Sequence, residues 1–149
     1  MPAKSKTSVR AIPVLILKNA DKAIDHYKKA FGAEETHRML CPQTRVVAHA
    51  GLKIGESEFF ITEENAKMGC VASPGQSFYL YVPDADKAFE TAKKAGLKEV
   101  QPVTDQFWGD RTGTLSDAYG LKWSVATHVR DVSPKEMEEA MKKMAKQAA

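Results

Sequence analysis

The sequence contains a twelve-residue segment twice, and this repeat limits the possible folds more than any other feature. Residues 19–30 read Asn-Ala-Asp-Lys-Ala-Ile-Asp-His-Tyr-Lys-Lys-Ala, and residues 84–95 read Asp-Ala-Asp-Lys-Ala-Phe-Glu-Thr-Ala-Lys-Lys-Ala. Seven of the twelve positions are identical, whereas average residue usage gives about one match. A small domain made of two similar modules usually has a cleft between them, and clefts bind ligands. The repeat therefore predicts two modules and a small-molecule site.

Length and charge narrow the class of protein. A chain of 149 residues fits one domain, or two fused modules that are each too small to stand alone. The net charge is +3, but the lysines alternate with acidic residues, which is typical of a solvated surface. We therefore expect no nucleic-acid partner.

The sequence also indicates a cytoplasmic protein. No apolar stretch approaches the ~20 residues of a membrane span, and the first residues carry charge without the apolar core of a signal peptide. Cys41 and Cys70 are isolated and lack metal-ligand spacing. Two cysteines are too few for a disulfide framework, and neither has an obvious activating neighbour in the sequence. We expect a cytoplasmic location and no membrane partner.

Each module is predicted to follow the order β-α-β-β-β. Apolar runs predict strands at residues 11–17, 35–40, 45–53 and 57–62, and again at 77–82, 99–103, 111–116 and 122–127. Asn19 and Asp84 are predicted to cap the two helices with their side chains, and Gly32 and Gly96 to end them. A polar segment at residues 63–75 links the modules.

Three regions follow from this plan. Residues 1–8 are predicted to be a flexible N-terminus, residues 9–130 a single domain with modules at about 9–65 and 75–128, and residues 131–149 a C-terminal helix.

The C-terminal helix has a strong start signal. Ser133, Pro134 and Glu136 fit an N-cap, a first-turn proline and a capping box. Met137, Met141 and Met144 then form a narrow apolar stripe. We expect this stripe to dock on the protein's own surface or on a twin subunit, because it lacks the aromatic anchors of membrane-surface helices. A homodimer is therefore expected.

Several motifs resemble those of a known family. They are residues 25–33 (Asp-His-Tyr-Lys-Lys-Ala-Phe-Gly-Ala), 48–50 (Ala-His-Ala) and 105–113 (Asp-Gln-Phe-Trp-Gly-Asp-Arg-Thr-Gly), followed by Ser-Asp-Ala-Tyr-Gly at 116–120 and by Trp123. With the tandem modules, they resemble the PhnB-like branch of the vicinal oxygen chelate superfamily, which includes glyoxalase I, extradiol dioxygenases and bleomycin resistance proteins. The resemblance covers roughly residues 9–128. It implies an α+β fold in which tandem βαβββ modules form two half-barrels with helices outside, plus the C-terminal amphipathic helix.

The resemblance also indicates where a metal would bind. Metal-using members carry His, Glu or Gln at four inward positions, which correspond here to Ile12, Phe60, Ser77 and Ser124. Isoleucine and phenylalanine offer no donor, and a serine hydroxyl is a poor neutral one for a divalent ion. We therefore expect no metal cofactor, with a divalent metal as the alternative.

Five residues outside the four metal positions are candidates for ligand contact. His49 is a candidate pocket acid–base residue or ligand contact, or is a histidine satisfied by a backbone carbonyl at the pocket edge. Phe107 and Trp108 are predicted to form a wall or lid, with Asp110 and Arg111 fixing the far end of their loop. Trp123 fills the core or stacks on a ligand. Arg111 binds an anionic ligand, or pairs with Asp110 or Asp117.

Other residues are interpreted as structural. Asp117 is expected to accept backbone N–H bonds in a turn. His26 and His37 are expected at the surface, and His128 is expected to end the last strand without a partner.

Two functions remain open. The first is a metal-free protein that binds a small, partly aromatic molecule against His49, Phe60, Ser77, Phe107, Trp108, Arg111, Trp123 and Ser124. The second is a metal-dependent glyoxalase-, lyase-, epimerase- or dioxygenase-type enzyme that acts on adjacent oxygens. His49 is the candidate catalytic residue, and whether the chain is an enzyme stays open.

Overall fold

The computed structural model describes residues 9–148. The predicted flexible segment 1–8 lies outside them. The chain forms two compact units. Unit 1 extends to Lys28 and includes Gly32–Ala72, and unit 2 includes Lys29–Phe31 and resumes at Ser73.

Unit 1 contains a four-stranded mixed sheet and one helix. Its elements are β1 (Val14–Leu17), α1 (Ala20–Phe31), β2 (Glu34–Leu40), β3 (Val47–Ile54) and β4 (Ser57–Glu63). The strand order is β1-β4-β3-β2. The β1 and β4 strands are parallel, and the other neighbours are antiparallel.

Unit 2 repeats this plan after a short 3-10 turn at Ala66–Met68. Its elements are β5 (Ser77–Tyr81), α2 (Ala85–Lys94), β6 (Lys98–Asp105), β7 (Asp110–Ser116) and β8 (Lys122–His128), followed by α3 (Pro134–Ala148). The strand order is β5-β8-β7-β6, with β5 parallel to β8. The predicted α+β fold of tandem βαβββ modules is therefore confirmed.

The predicted caps differ in outcome. Asp84 accepts a hydrogen bond from the backbone N–H of Lys87 at 3.1 Å, as expected. Asn19 makes no side-chain cap and adopts a left-handed backbone conformation, so that prediction is wrong. The carboxylate of Glu63, at the end of β4, instead accepts the N–H groups of Asn19 and Ala20 at 3.0 and 2.6 Å. A full charge compensates the helix N-terminus better than an amide does.

The predicted helix ends are close to those observed. Gly32 is the left-handed C-cap of α1, and its N–H donates to the carbonyl of Lys28. The α2 helix ends at Lys94, with Ala95 as its C-cap and Gly96 following at a positive φ. Gly96 therefore lies one residue beyond the cap.

Each sheet has one buried face and one partly exposed face. Along β1, Leu15 and Leu17 are buried, whereas Val14 is exposed and Ile16 half-buried. In unit 2, α2 packs against β6, β7 and β8, and Phe89, Leu115, Trp123 and Val125 are buried. Because strand side chains alternate, the opposite face of each sheet is less completely buried, and His49, Phe60 and Ser124 lie on it.

The C-terminal helix starts as predicted but stays uncovered. Glu136 N–H donates to Ser133 Oγ at 3.2 Å. No described residue of α3 is buried, and Met141 and Met144 are 56% and 52% exposed. The described part of the chain therefore does not cover the methionine stripe, and its burial by a twin subunit stays a prediction. Within residues 9–148, no helix is long and apolar enough to cross a membrane.

Candidate functional site

His49 belongs to a cluster of rings on the half-exposed face of the unit 1 sheet. Strand pairing places Gly51 between His37 and Phe60. The ring centroid of His49 lies 4.8 Å from that of His37 and 4.6 Å from that of Phe60. A Cβ on Gly51 would overlap the His37 ring and the Thr36 hydroxyl, so the glycine lets the rings approach.

The ring nitrogens of His49 are open to other molecules. Its ring contacts are with His37 and Phe60, and neither nitrogen has a hydrogen-bond partner within residues 9–148. The structure does not show the backbone carbonyl partner that one interpretation of His49 required. His37 is exposed, as predicted, and its Nδ1 lies 3.0 Å from Thr36 Oγ1.

A cavity of about 640 Å³ adjoins this cluster within unit 1. Its apolar lining comes from Met39, Leu40, Val46, Val47, Ala48 and Met68. Met39 pairs directly with His49 across β2 and β3. Thr62 also lines the cavity and follows Phe60 by two residues, so both lie on the same face of β4. The cavity therefore adjoins His49 and Phe60 and can hold an apolar molecule of moderate size.

Cys41 and Cys70 also line the cavity as half-buried free thiols. The hydroxyl of Thr44, followed by the backbone N–H groups of Thr44 and Gln43, holds the pKa of the Cys41 thiol below its usual value. Thr44 is only three residues away, but the turn between β2 and β3 is needed to bring it to the sulfur.

A second cluster lies on the half-exposed face of the unit 2 sheet, around Asp110. The Asp110 carboxylate, in a residue only 2% exposed, accepts hydrogen bonds from the Tyr79 and Tyr81 hydroxyls at 2.7 and 2.9 Å. The His128 Nδ1 lies 2.9 Å from its other oxygen. The indole N–H of Trp108 donates to the Tyr79 hydroxyl at 3.2 Å. Asp110, at the start of β7, thus has partners on two other strands, β5 and β8.

These bonds shift the pKa values of the acid and the imidazole. Burial opposes ionisation of Asp110, but hydrogen bonds from His128, Tyr79 and Tyr81 outweigh it, so its pKa is lowered. The pKa of His128 is raised, first by Asp131, whose carboxylate lies 2.7 Å from Nε2, and then by Asp110. The prediction that His128 lacks a partner is therefore wrong.

Trp108 and Phe107 occupy a tight loop between β6 and β7. Both are half-buried, and their ring centroids lie 5.0 Å apart at right angles. Gly109 has a φ of 99°, and a Cβ there would overlap the carbonyl oxygen of Arg130. The Gly109 carbonyl accepts the N–H groups of Val129 and Arg130. The loop is therefore tied to the chain that follows β8.

Arg111 anchors this loop through partners that were not predicted. Its guanidinium donates to Asp86 at 2.7 and 2.9 Å and to Asp105 at 3.1 Å. The pairing with Asp110 or Asp117 expected from the sequence is wrong, because Asp110 bonds to other side chains and Asp86 is brought close by α2. Asp86 and then Asp105 raise the pKa of Arg111.

Trp123 lies in the core of unit 2. Its ring is fully buried, with the Phe31 and Phe78 centroids 4.4 and 4.5 Å away. The indole N–H donates to Asp117 at 2.9 Å. Asp117 also accepts the N–H groups of Tyr119 and Leu121, which confirms its predicted turn role. These contacts favour the core interpretation of Trp123 over ligand stacking.

The residues at the family's four metal positions do not fit a divalent ion. Ile12 is half-buried and Phe60 contacts two histidine rings. Ser77 is exposed, and the Ser124 hydroxyl lies 2.8 Å from Thr114 Oγ1. Residues 9–148 contain no group of three or more His, Cys, Asp or Glu side chains that could hold an ion. The four side chains at these positions are therefore not the donors that a divalent ion prefers.

The sequence did not predict the cluster around Asp110, although it contains one signal for it. Tyr79 and Tyr81 alternate on β5, which places both hydroxyls on one face of the sheet. Asp110 begins β7 and His128 ends β8, so the antiparallel register places the two residues directly opposite each other. Only the strand register brings the four side chains together.

The fold and the sequence place the chain in a family. Residues 11–125 match the model of the Glyoxalase/Bleomycin resistance protein/Dioxygenase superfamily. The chain therefore belongs to this superfamily.

Relatives support the assignment. An uncharacterized protein of Mycobacterium bovis is 34% identical over 137 residues, covering 87% of this chain and 90% of that protein. The crystal structure of TioX from Micromonospora sp. ML1 is similar, with a TM-score of 0.68 and 25% identity over 82% of this chain and all of that one. A PhnB protein from Bacillus cereus shares the fold, with a TM-score of 0.64 and 17% identity over 80% of this chain and 99% of that one.

Proposed function

We propose that this chain is a PhnB-like superfamily member that binds a small, partly aromatic molecule without a resident metal ion. The observation that carries the proposal is the apolar cavity of unit 1. Its volume of about 640 Å³ is within the usual range for small-molecule sites. Met39 and Thr62 connect it to the rings of His49 and Phe60.

The cavity and the rings suit a ligand with an apolar body and one polar group. Aliphatic and thioether side chains supply dispersion contacts without fixed geometry. Phe60 and His49 offer ring contacts, and the free nitrogens of His49 can donate or accept one hydrogen bond. The ligand is therefore oriented by His49 and held by apolar burial.

The binding test uses 8-anilinonaphthalene-1-sulfonate, an aromatic probe whose fluorescence rises in apolar sites. The Met39→Glu variant places a charge on the cavity wall and should weaken probe binding at least about ten-fold, since covering one such side chain contributes about 1.5–3 kcal/mol and about 1.4 kcal/mol is ten-fold in affinity. Val100→Glu is the matched control, because Val100 is an exposed apolar residue of β6 that lies outside the cavity lining and outside α3. Equal affinities of the two variants would contradict the proposed cavity site.

A metal-dependent lyase, epimerase or dioxygenase is the alternative function, and metal content decides between them. Protein purified without an affinity tag is analysed by plasma mass spectrometry. We expect less than about one tenth of an equivalent of Zn²⁺, Ni²⁺ or Fe²⁺, because the four positions offer no strong donor. One equivalent of metal, removed by a chelator together with a change in ligand binding, would reverse the proposal.

We also propose a homodimer that covers the methionine stripe of α3. Its support is the exposure of Met141 and Met144. Light scattering during gel filtration measures the mass. Met141→Glu should shift the protein toward the monomer, and an unchanged dimer would place the interface elsewhere.

A further inference from the structure

The half-exposed face of unit 2 carries a cluster of aromatic side chains, called here the aromatic corner. Tyr79 and Tyr81 are adjacent on one face of β5, and their ring centroids lie 5.4 Å apart with the planes at 65°. They remain 44% and 67% exposed, which leaves part of each ring open to solvent. Trp108 adds a third ring, because its indole N–H donates to the Tyr79 hydroxyl.

The corner is backed by a buried negative charge. Both phenol hydroxyls donate to the same oxygen of Asp110. A phenol that donates to a carboxylate gains electron density, which makes the face of its ring more attractive to cations. The charge of Asp110 is weakly screened because the residue is buried.

The cations near this corner are already engaged. His128 is shared between Asp110 and the fully exposed Asp131. Arg111 is held by Asp86 and Asp105. Asp110 and Asp131 together carry two negative charges, whereas His128 carries at most one positive charge. The corner is therefore net negative.

We propose that Tyr79, Tyr81 and Trp108, backed by Asp110, form a binding site for an organic ammonium group. Aromatic faces attract a methylated ammonium ion more strongly than a neutral group of the same shape. Because Asp110 already takes the hydroxyl protons of both tyrosines, these groups offer no donors to an anion. The site therefore selects for positive charge and not simply for apolar bulk.

The test compares choline with 3,3-dimethylbutan-1-ol, its neutral analogue, by NMR titration of the full-length protein at low salt. We expect choline to bind at least about five-fold more tightly than the alcohol. Equal affinities, or no choline binding at roughly 50 mM, a concentration that reveals even very weak sites, would overturn the proposal. Stronger binding of acetate than of choline would also overturn the proposal, because it would show that the site prefers anions.

Variants locate the site. Tyr81→Leu removes the most exposed ring and should weaken choline binding about five-fold, whereas Tyr81→Phe keeps the ring and should weaken it less. Tyr119→Leu, in the turn between β7 and β8, makes the same substitution at the other end of these strands; it is the matched control and should leave choline binding unchanged. Circular dichroism verifies that each variant is folded. An unchanged choline affinity in folded Tyr81→Leu would refute the ammonium site. This outcome does not depend on the binding of 8-anilinonaphthalene-1-sulfonate to the unit 1 cavity.

Discussion

Replacing Trp123 with alanine should destabilise the protein far more than replacing Trp108. Trp123 is fully buried, lies against Phe31 and Phe78, and donates to Asp117. Removing such a side chain costs about 3–5 kcal/mol, which is a large part of the roughly 5–15 kcal/mol that stabilises a typical domain. Trp108 is half-buried with one hydrogen bond to Tyr79, so Trp108→Ala should cost only about 1–2 kcal/mol.

Urea unfolding followed by far-ultraviolet circular dichroism measures the difference, because this signal does not depend on either tryptophan. With a slope of about 2 kcal/mol per molar urea, Trp123→Ala should lower the midpoint by roughly 2 M and Trp108→Ala by less than about 1 M. Trp123→Phe is the control that retains a ring but loses the bond to Asp117, and should fall between them. Equal shifts for the two alanine variants would refute the assignment of Trp123 to the core and Trp108 to the exposed loop.

Three further predictions follow from single contacts. Gly109→Ala should cost about 1–3 kcal/mol in unfolding experiments, because alanine is strained at a positive φ and its Cβ meets the Arg130 carbonyl; an unchanged midpoint would mean that the loop rearranges freely. Asp84→Ala should cost about 1 kcal/mol through loss of the α2 cap, and Asp84→Asn should restore most of it. Thermal melts should show a larger loss for His128→Gln at about pH 6 than at about pH 9, because a raised histidine pKa stabilises the fold below its unfolded value of about 6.5 and this contribution fades as the pH rises. A loss independent of pH would contradict the pairing with Asp131 and Asp110.

The fold could be predicted because its signals are local and occur twice. The repeated segment, the glycine after each helix and the alternating apolar runs each depend on neighbouring residues, and the eight strands lie close to their predicted positions. The cap of α1 could not be predicted in this way. Its acceptor, Glu63, lies more than forty residues away from Asn19, and only the parallel pairing of β1 with β4 brings it to the helix.

The candidate sites were predicted less completely, for the same physical reason. The sequence singled out His49 and Phe60, and the structure places their rings in contact. The cavity beside them is lined in part by residues that follow β4, such as Met68 and Cys70. The sequence pattern does not predict the path of this segment. Arg111 was expected to pair with a neighbour in sequence, but Asp86 reaches it from α2, so proximity along the chain indicated the wrong partner.

The cluster around Asp110 shows why two-fold repetition does not imply two equal sites. Phe60 and Ser124 occupy matching positions, because each pairs with the corresponding residue of the first strand in its unit, Val14 and Tyr79. In unit 1, the side chains around Phe60 are histidine rings. In unit 2, Ser124 lies beside Tyr79, whose hydroxyl and that of Tyr81 bond to the buried carboxylate of Asp110. The same backbone plan therefore presents an apolar surface in one unit and an electronegative surface in the other, because the side chains at matching strand positions differ.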